Sequence, residues 1–241
     1  MTPGVSAVAP ALPGRPVFDQ RWTDLAFLHW PVPPFVVAPY LPPGVRPDII
    51  DGVTYVGLIP FHMRQAGLGR GHPGPYLGDF LETNVRLYGV DEVGHHSVVF
   101  RSLEASRLLT VLAARWGYRL PYVWSRMRVE TTGDTWTWSS RRRWPKRGLR
   151  TRITVRVGEP VLEPTDLDVW LTARWGLHHS TLGRTWWTPN HHEAWPLRAA
   201  EAVEVEDDLL AAAGFDVADE PPVHVRFSSG VRTVFGRPRQ I

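Results

Sequence analysis

Strict alternation of polar and apolar residues is what most limits the folds open to this chain. Residues 135–140 read Thr-Trp-Thr-Trp-Ser-Ser, and 150–157 read Arg-Thr-Arg-Ile-Thr-Val-Arg-Val. Successive side chains on a strand point to opposite faces, so each run is a β-strand with one wet and one dry face. Further strand-like runs occupy 22–30, 53–61, 80–88, 98–103, 127–132, 181–188, 191–198 and 199–205. Strands at this spacing, divided by turn residues, predict an antiparallel sheet or barrel. Helical three-and-four spacing is scarcer. It marks 104–116, through Ala105, Leu108, Leu109, Leu112 and Trp116, and 164–177, with Thr165 as N-cap. Residues 35–40 predict one helical turn, and 207–214 a short helix closed by Gly214.

Turn chemistry organises the strands. Asp51-Gly52 predicts a hairpin between 45–50 and 53–61, and 223–228 with 231–235 predicts the last hairpin. In 53–61 both alternating sets are mostly apolar, so that strand is expected to be buried on both sides. A Gly-rich stretch at 63–75, carrying Arg64, Arg70 and His72, reads as a lid over a site or as a plain connection. Residues 1–17, rich in Pro, Ala and Gly, predict a loose tail. No repeat or linker interrupts 18–241, which reads as a single domain.

Composition removes several function classes. Cysteine is absent, which excludes disulfides, thiolate catalysis and cysteine-zinc sites. No apolar run approaches the ~20 residues needed to span a bilayer, and no signal peptide is visible. No membrane partner is expected, and the cytoplasm is the default compartment. The formal net charge is only +3. The basic run 141–147 reads as a solvated hairpin tip, and no basic helix face accompanies it, so no nucleic-acid partner is expected. A homo-oligomer stays open.

The catalytic signatures are mostly negative. Histidines fall in pairs, His95-His96, His178-His179 and His191-His192. Neighbours on a strand face opposite ways, so a pair does not supply two ligands to one metal, and no metal site is expected. There is no nucleophile elbow and no phosphate loop, and no cofactor is expected. Lys146, the one lysine, sits in the basic run, where nothing would lower its pKa for imine chemistry. What remains is Glu82, Asn84 and Arg86, in register on one strand face, and the stretch 114–127, dense in aromatics and arginines. That stretch is expected to line any cavity through Tyr122, Trp124 and Arg126, with Arg119 nearby. A buried carboxylate beside arginine and aromatics suits a small polar or carbonyl-bearing ligand. The same residues equally suit a structural ion pair sealing a core.

Six segments together resemble a known family: 27–32 (FLHWPV), 41–45 (LPPGV), 51–61 (DGVTYVGLIPF), 82–86 (ETNVR), 120–127 (LPYVWSRM) and 192–197 (HEAWPL). The chain resembles the uncharacterised YqjF-like family, grouped with the acetoacetate decarboxylase-like superfamily, over residues 20–236. The resemblance implies an α+β, β-rich fold: a closed, cone-like antiparallel β-barrel with a few peripheral helices and a largely apolar cavity. In acetoacetate decarboxylase the catalytic lysine follows a proline, with a second lysine next to it. Here Tyr122 follows Pro121 and Val123 comes next, which implies that the imine chemistry is lost. Glu82 is similar to that enzyme's active-site glutamate.

Three functions follow as expectations. The first is a cavity binding a small organic molecule, carbonyl- or carboxylate-bearing, without Schiff-base chemistry, lined by Glu82, Asn84, Arg86, Tyr122, Trp124 and Arg126. The second is a lyase- or hydrolase-type enzyme with Glu82 as acid/base and Tyr122 or an arginine polarising a carbonyl. The third is a structural or interaction protein with a filled barrel.

Overall fold

The computed structural model describes residues 5–69, 78–117 and 120–241, the side chains of 113–117 excepted. Its strands are β1 Phe18–Val32, β2 Val45–Pro47, β3 Thr54–Leu68, β4 Phe80–Asp91, β5 His96–Ala105, β6 Tyr122–Thr132 and β7 Thr135–Trp144. They continue with β8 Arg150–Pro160, β9 Gly176–Thr181, β10 Arg184–His192, β11 Leu197–Asp207, β12 His224–Phe235 and β13 Arg239–Gln240. The helices are α1 Pro34–Val37, followed by a 3-10 turn at Ala38–Tyr40, then α2 Leu108–Gly117, α3 Asp166–Thr172 and α4 Leu209–Ala213. No helix among the described residues is long and apolar enough to cross a membrane.

All the strands join one sheet, in the order β13-β10-β9-β5-β6-β7-β8-β11-β12-β1-β3-β4-β2, with extra pairings β10–β12 and β5–β4. Most neighbours are antiparallel, as the sequence predicts. The exceptions are β5 with β6 and β5 with β9, which are parallel. Helix α2 lies between β5 and β6 in the chain and supplies the crossover that a parallel pair requires.

Alternation gives β1 and β3 two working faces. Leu28 and Trp30, with Val56 and Leu58, face a core that also holds Trp138, Ile153, Leu209 and Phe215. Leu25 and Phe27, with Ile59, Phe61 and Met63, face a second cluster around Trp195. Each large apolar side chain buried in this way contributes roughly 1.5–3 kcal/mol. Both faces of β3 are thus buried, as expected from its composition.

Several local expectations are corrected. The Asp51-Gly52 turn forms, but it carries only the bridge Ile50↔Val53. Strand β2 pairs instead with β4, at Val45↔Asp91, because Asp48 is drawn to Arg174 and His96. Strand β3 runs on to Leu68, into the stretch read as a lid; Arg70 and His72 lie outside the described residues, as does Arg119. Glu104 and Ala105 end β5 rather than starting a helix, and α2 begins at Leu108. Helix α3 is closed by a Thr165–Asp168 capping box but stops at Thr172, not 177. Residues 193–196 interrupt the strand expected over 191–198. The final hairpin is one strand, β12, in which Gly230 at φ 113 pairs with Thr23 rather than turning the chain.

The basic run is exposed at Arg141, Arg143, Lys146 and Arg147, as expected, but not at Arg142. Strand β7 includes 141–144, and Arg142 points inward, where it donates to Glu104 through Nε at 3.2 Å and through Nη2. The 5–17 segment carries no helix or strand, yet Trp175 Nε1 donates to the Ser6 carbonyl at 2.8 Å and His191 Nδ1 lies 3.1 Å from that of Pro10.

Candidate functional site

Between the second cluster and strands β9 and β10 lies a cavity of about 630 Å3. Its wall is drawn from β1, β3, β4, β5, β9 and β10, with Tyr122 at the start of β6. Most of that wall is apolar, including Trp22, Phe61, Phe80 and Trp195. Trp22 and Trp195 stack with ring centroids 5.8 Å apart. The interior is therefore not the solid packing that the third expectation requires.

Glu82, Asn84 and Arg86 all reach this cavity, because period two on β4 turns them the same way. Glu82 is 2 % exposed and accepts a hydrogen bond from the Tyr122 hydroxyl at 2.9 Å. Burial pushes its pKa up to about 8, against the pull of Tyr122 and the Asn84 amide. Burial and the neighbouring Glu82 push the Tyr122 phenol well above its ordinary value. At neutral pH the pair is thus an uncharged carboxyl and an uncharged phenol, able to donate to a carbonyl oxygen.

Two expected residues do not reach the cavity. Trp124 packs against the second cluster, with the Arg143 guanidinium 5.9 Å from its ring, and Arg126 is exposed. The reason lies in the pairing. β6 follows β5 only from Tyr122 to Trp124, and from Trp124 onward it pairs with β7, with a register shift between Trp124 and Ser125. Ser125, buried, donates to Glu104 at 2.5 Å instead.

Other polar residues line the cavity unannounced by the sequence: Gln20, Arg174, His179, Asn190 and His192. Arg174 reaches it because α3 ends early. Its Nε donates to the Trp170 carbonyl at 2.7 Å and its Nη1 to Asp48. Burial, with His191 and Arg86 close by, lowers the His192 pKa to about 4 despite its bond to the Glu193 carbonyl, so it is neutral.

Behind Arg86 runs a buried chain of hydrogen bonds. Arg86 Nε donates to the Tyr88 hydroxyl at 2.8 Å, which lies 2.6 Å from His29 Nε2. His29 Nδ1 is 3.0 Å from His224 Nδ1, and His224 Nε2 is 2.8 Å from Asp168. Burial, then His224 and the two arginines, hold His29 well below the usual imidazole range. The Asp168 carboxyl is held low by His224, Thr165 and Arg226, which outweigh its burial. The chain fixes the Arg86 guanidinium toward Tyr88. Among the described residues, no group of His, Asp and Glu is arranged to hold a metal ion.

Fold and site define a β-rich α+β chain whose cavity wall carries a phenol beside a glutamate. The chain belongs to the DUF2071 family of uncharacterized conserved proteins, which it matches over residues 19–232. It is 28% identical, over 208 residues and 86% of each chain, to the uncharacterized protein YqjF of Bacillus subtilis. Solved structures share the fold at low identity. An acetoacetate decarboxylase-like enzyme from Sphingomonas wittichii gives a TM-score of 0.62 at 10% identity, covering 98% of this chain and 99% of that one. An acetoacetate decarboxylase gives 0.63 at 10%, covering 97% and 92%. The enduracididine biosynthesis enzyme MppR, in complex with a condensation product of pyruvate and imidazole 4-carboxaldehyde, gives 0.62 at 14%, covering 95% and 90%.

Proposed function

We propose that this protein binds a small organic, carbonyl- or carboxylate-bearing molecule inside a closed, cone-like barrel, without Schiff-base chemistry. Closure is supported by the pairings of β12 with β1 and β10 and of β5 with β4 and β9. Hydrogen bonds can be followed from β10 through β9, β5, β4, β3, β1 and β12 back to β10. The observation that carries the binding reading is the neutral Glu82–Tyr122 pair at 2.9 Å inside a 630 Å3 cavity, a size typical of small-molecule sites. Lys146, the one amine side chain, is exposed and does not line that cavity, which supports a ligand held without an imine.

A thermal-shift screen of carbonyl and carboxylate metabolites tests this reading. Hits are expected for the wild type and weakened for Glu82→Gln and Tyr122→Phe. A screen without hits, or hits untouched by both variants, overturns it.

One observation favours a second reading. A carboxyl with a pKa of about 8 is poised for proton transfer near neutral pH, so Glu82 could serve a lyase- or hydrolase-type reaction. Turnover of a bound compound, falling roughly 10²–10⁴-fold in Glu82→Gln, would establish it.

A further inference from the structure

Two guanidiniums reach one end of the cavity, and their charges are unequally matched. Arg174 is 3 % exposed, and its Nη2 has no partner. Arg86 donates Nε to Tyr88 at 2.8 Å and Nη2 to the Leu171 carbonyl at 3.1 Å, and both acceptors are neutral. Among the described residues no carboxylate ion-pairs with Arg86, and Asp48 at this end already serves Arg174 and His96. The two guanidiniums flank one ring, with Cζ atoms 5.4 and 4.8 Å from the Tyr88 centroid. Glu82 is protonated at neutral pH and offsets neither. Arg86 is partly buried and faces the cavity, and a guanidinium drawn out of bulk water is ordinarily paired, so this end of the cavity lacks an anion.

We propose that Arg86 and Arg174 form an anion subsite for the carboxylate of a two-ended acid, whose carbonyl or hydroxyl oxygen meets Glu82 and Tyr122. This rests on the binding reading above and adds charge, orientation and length to it. A carboxylate fits because its two oxygens match the guanidinium fork. Length follows from β4. Four residues at about 3.3 Å each put Glu82 and Arg86 roughly 13 Å apart, and Arg86 leans further away toward Tyr88. A hydrogen bond of about 3 Å at each end leaves a ligand span of at least about 7 Å. A short oxo acid cannot touch both ends. A chain of six C–C bonds can, at about 7–8 Å from bonds near 1.5 Å.

Isothermal titration of the whole protein with 7-oxooctanoate, its primary amide and 4-oxopentanoate tests this. The longer acid is expected to bind at least tenfold tighter than its amide and tenfold tighter than the shorter acid. Arg86→Gln should collapse the acid-over-amide preference, while the wild-type comparisons need no variant to fold. An amide that binds as tightly as its acid overturns the anion subsite, and equal affinity for both acids overturns the two-ended placement. If none of the three binds while neutral carbonyl compounds register in the thermal-shift screen, this inference fails alone. Silence in both experiments removes the binding reading as well.

Discussion

Glu82 shows how far one residue's surroundings can reverse its ordinary chemistry. Its pKa is raised from 4.5 to about 8, so the folded state holds a proton that the unfolded chain releases above about pH 4.5. The stability that goes with that proton is complete below this pH and is lost as pH rises toward 8, on the order of a few kcal/mol. Histidines with lowered pKa values, such as His29 and His192, titrate in the same range in both proteins, so the urea midpoint of the wild type should fall relative to that of Glu82→Gln between pH 5 and 8. Parallel curves would show that Glu82 ionises normally. Asp168 runs the opposite way. Its lowered pKa contributes stability that is present above the unfolded value and is lost as pH falls. Asp168→Asn removes the charge that faces His224 and Arg226 and leaves one acceptor oxygen where two served them and the α3 capping box. It should cost about 3–5 kcal/mol in chemical denaturation, as broken buried pairs do.

At the scale of the element, the ends of strands and helices decide the site. Helix α3 stops at Thr172, and that places Arg174 in the cavity wall. Strand β6 leaves β5 after three residues, and that removes Trp124 and Arg126 from it. Gly230 lets β12 pass close against the β1 backbone. A Cβ there would meet the Trp22 carbonyl oxygen at 1.9 Å, at φ +113. Gly230→Ala should destabilise by more than about 3 kcal/mol, since strain at such a φ alone costs about 1–3 kcal/mol and the clash is with backbone. A change below 1 kcal/mol in urea unfolding would show that this approach is soft.

Across the whole molecule, a packed region and a hollow one share β1 and β3. Leu28→Ala empties the packed side and should cost about 2–5 kcal/mol without changing affinity for any cavity ligand. Phe61→Ala, on the other face, should alter affinity in the same titrations. Much of this plan was legible in the chain. Alternation located most strands, and the period of two brought Glu82, Asn84 and Arg86 to one wall. Tyr122 was found by its place after Pro121 in a segment with a family likeness. What stayed hidden depends on partners distant in sequence. No local pattern near 174 announces an arginine whose carboxylate is Asp48, 126 residues earlier. Nor does the run at 141–147 reveal that Arg142 turns inward to Glu104. Trp124 and Arg126 kept the right period but lost their neighbour strand, which alternation alone does not report.

The shared ribbon of β1 and β3 has a consequence for how such a chain can diversify. Positions such as 22, 25, 59 and 61 furnish the chamber, and positions such as 28, 30, 56 and 58 anchor the keel. Descendants can therefore exchange what the chamber admits one lining position at a time, while the keel keeps the vessel afloat.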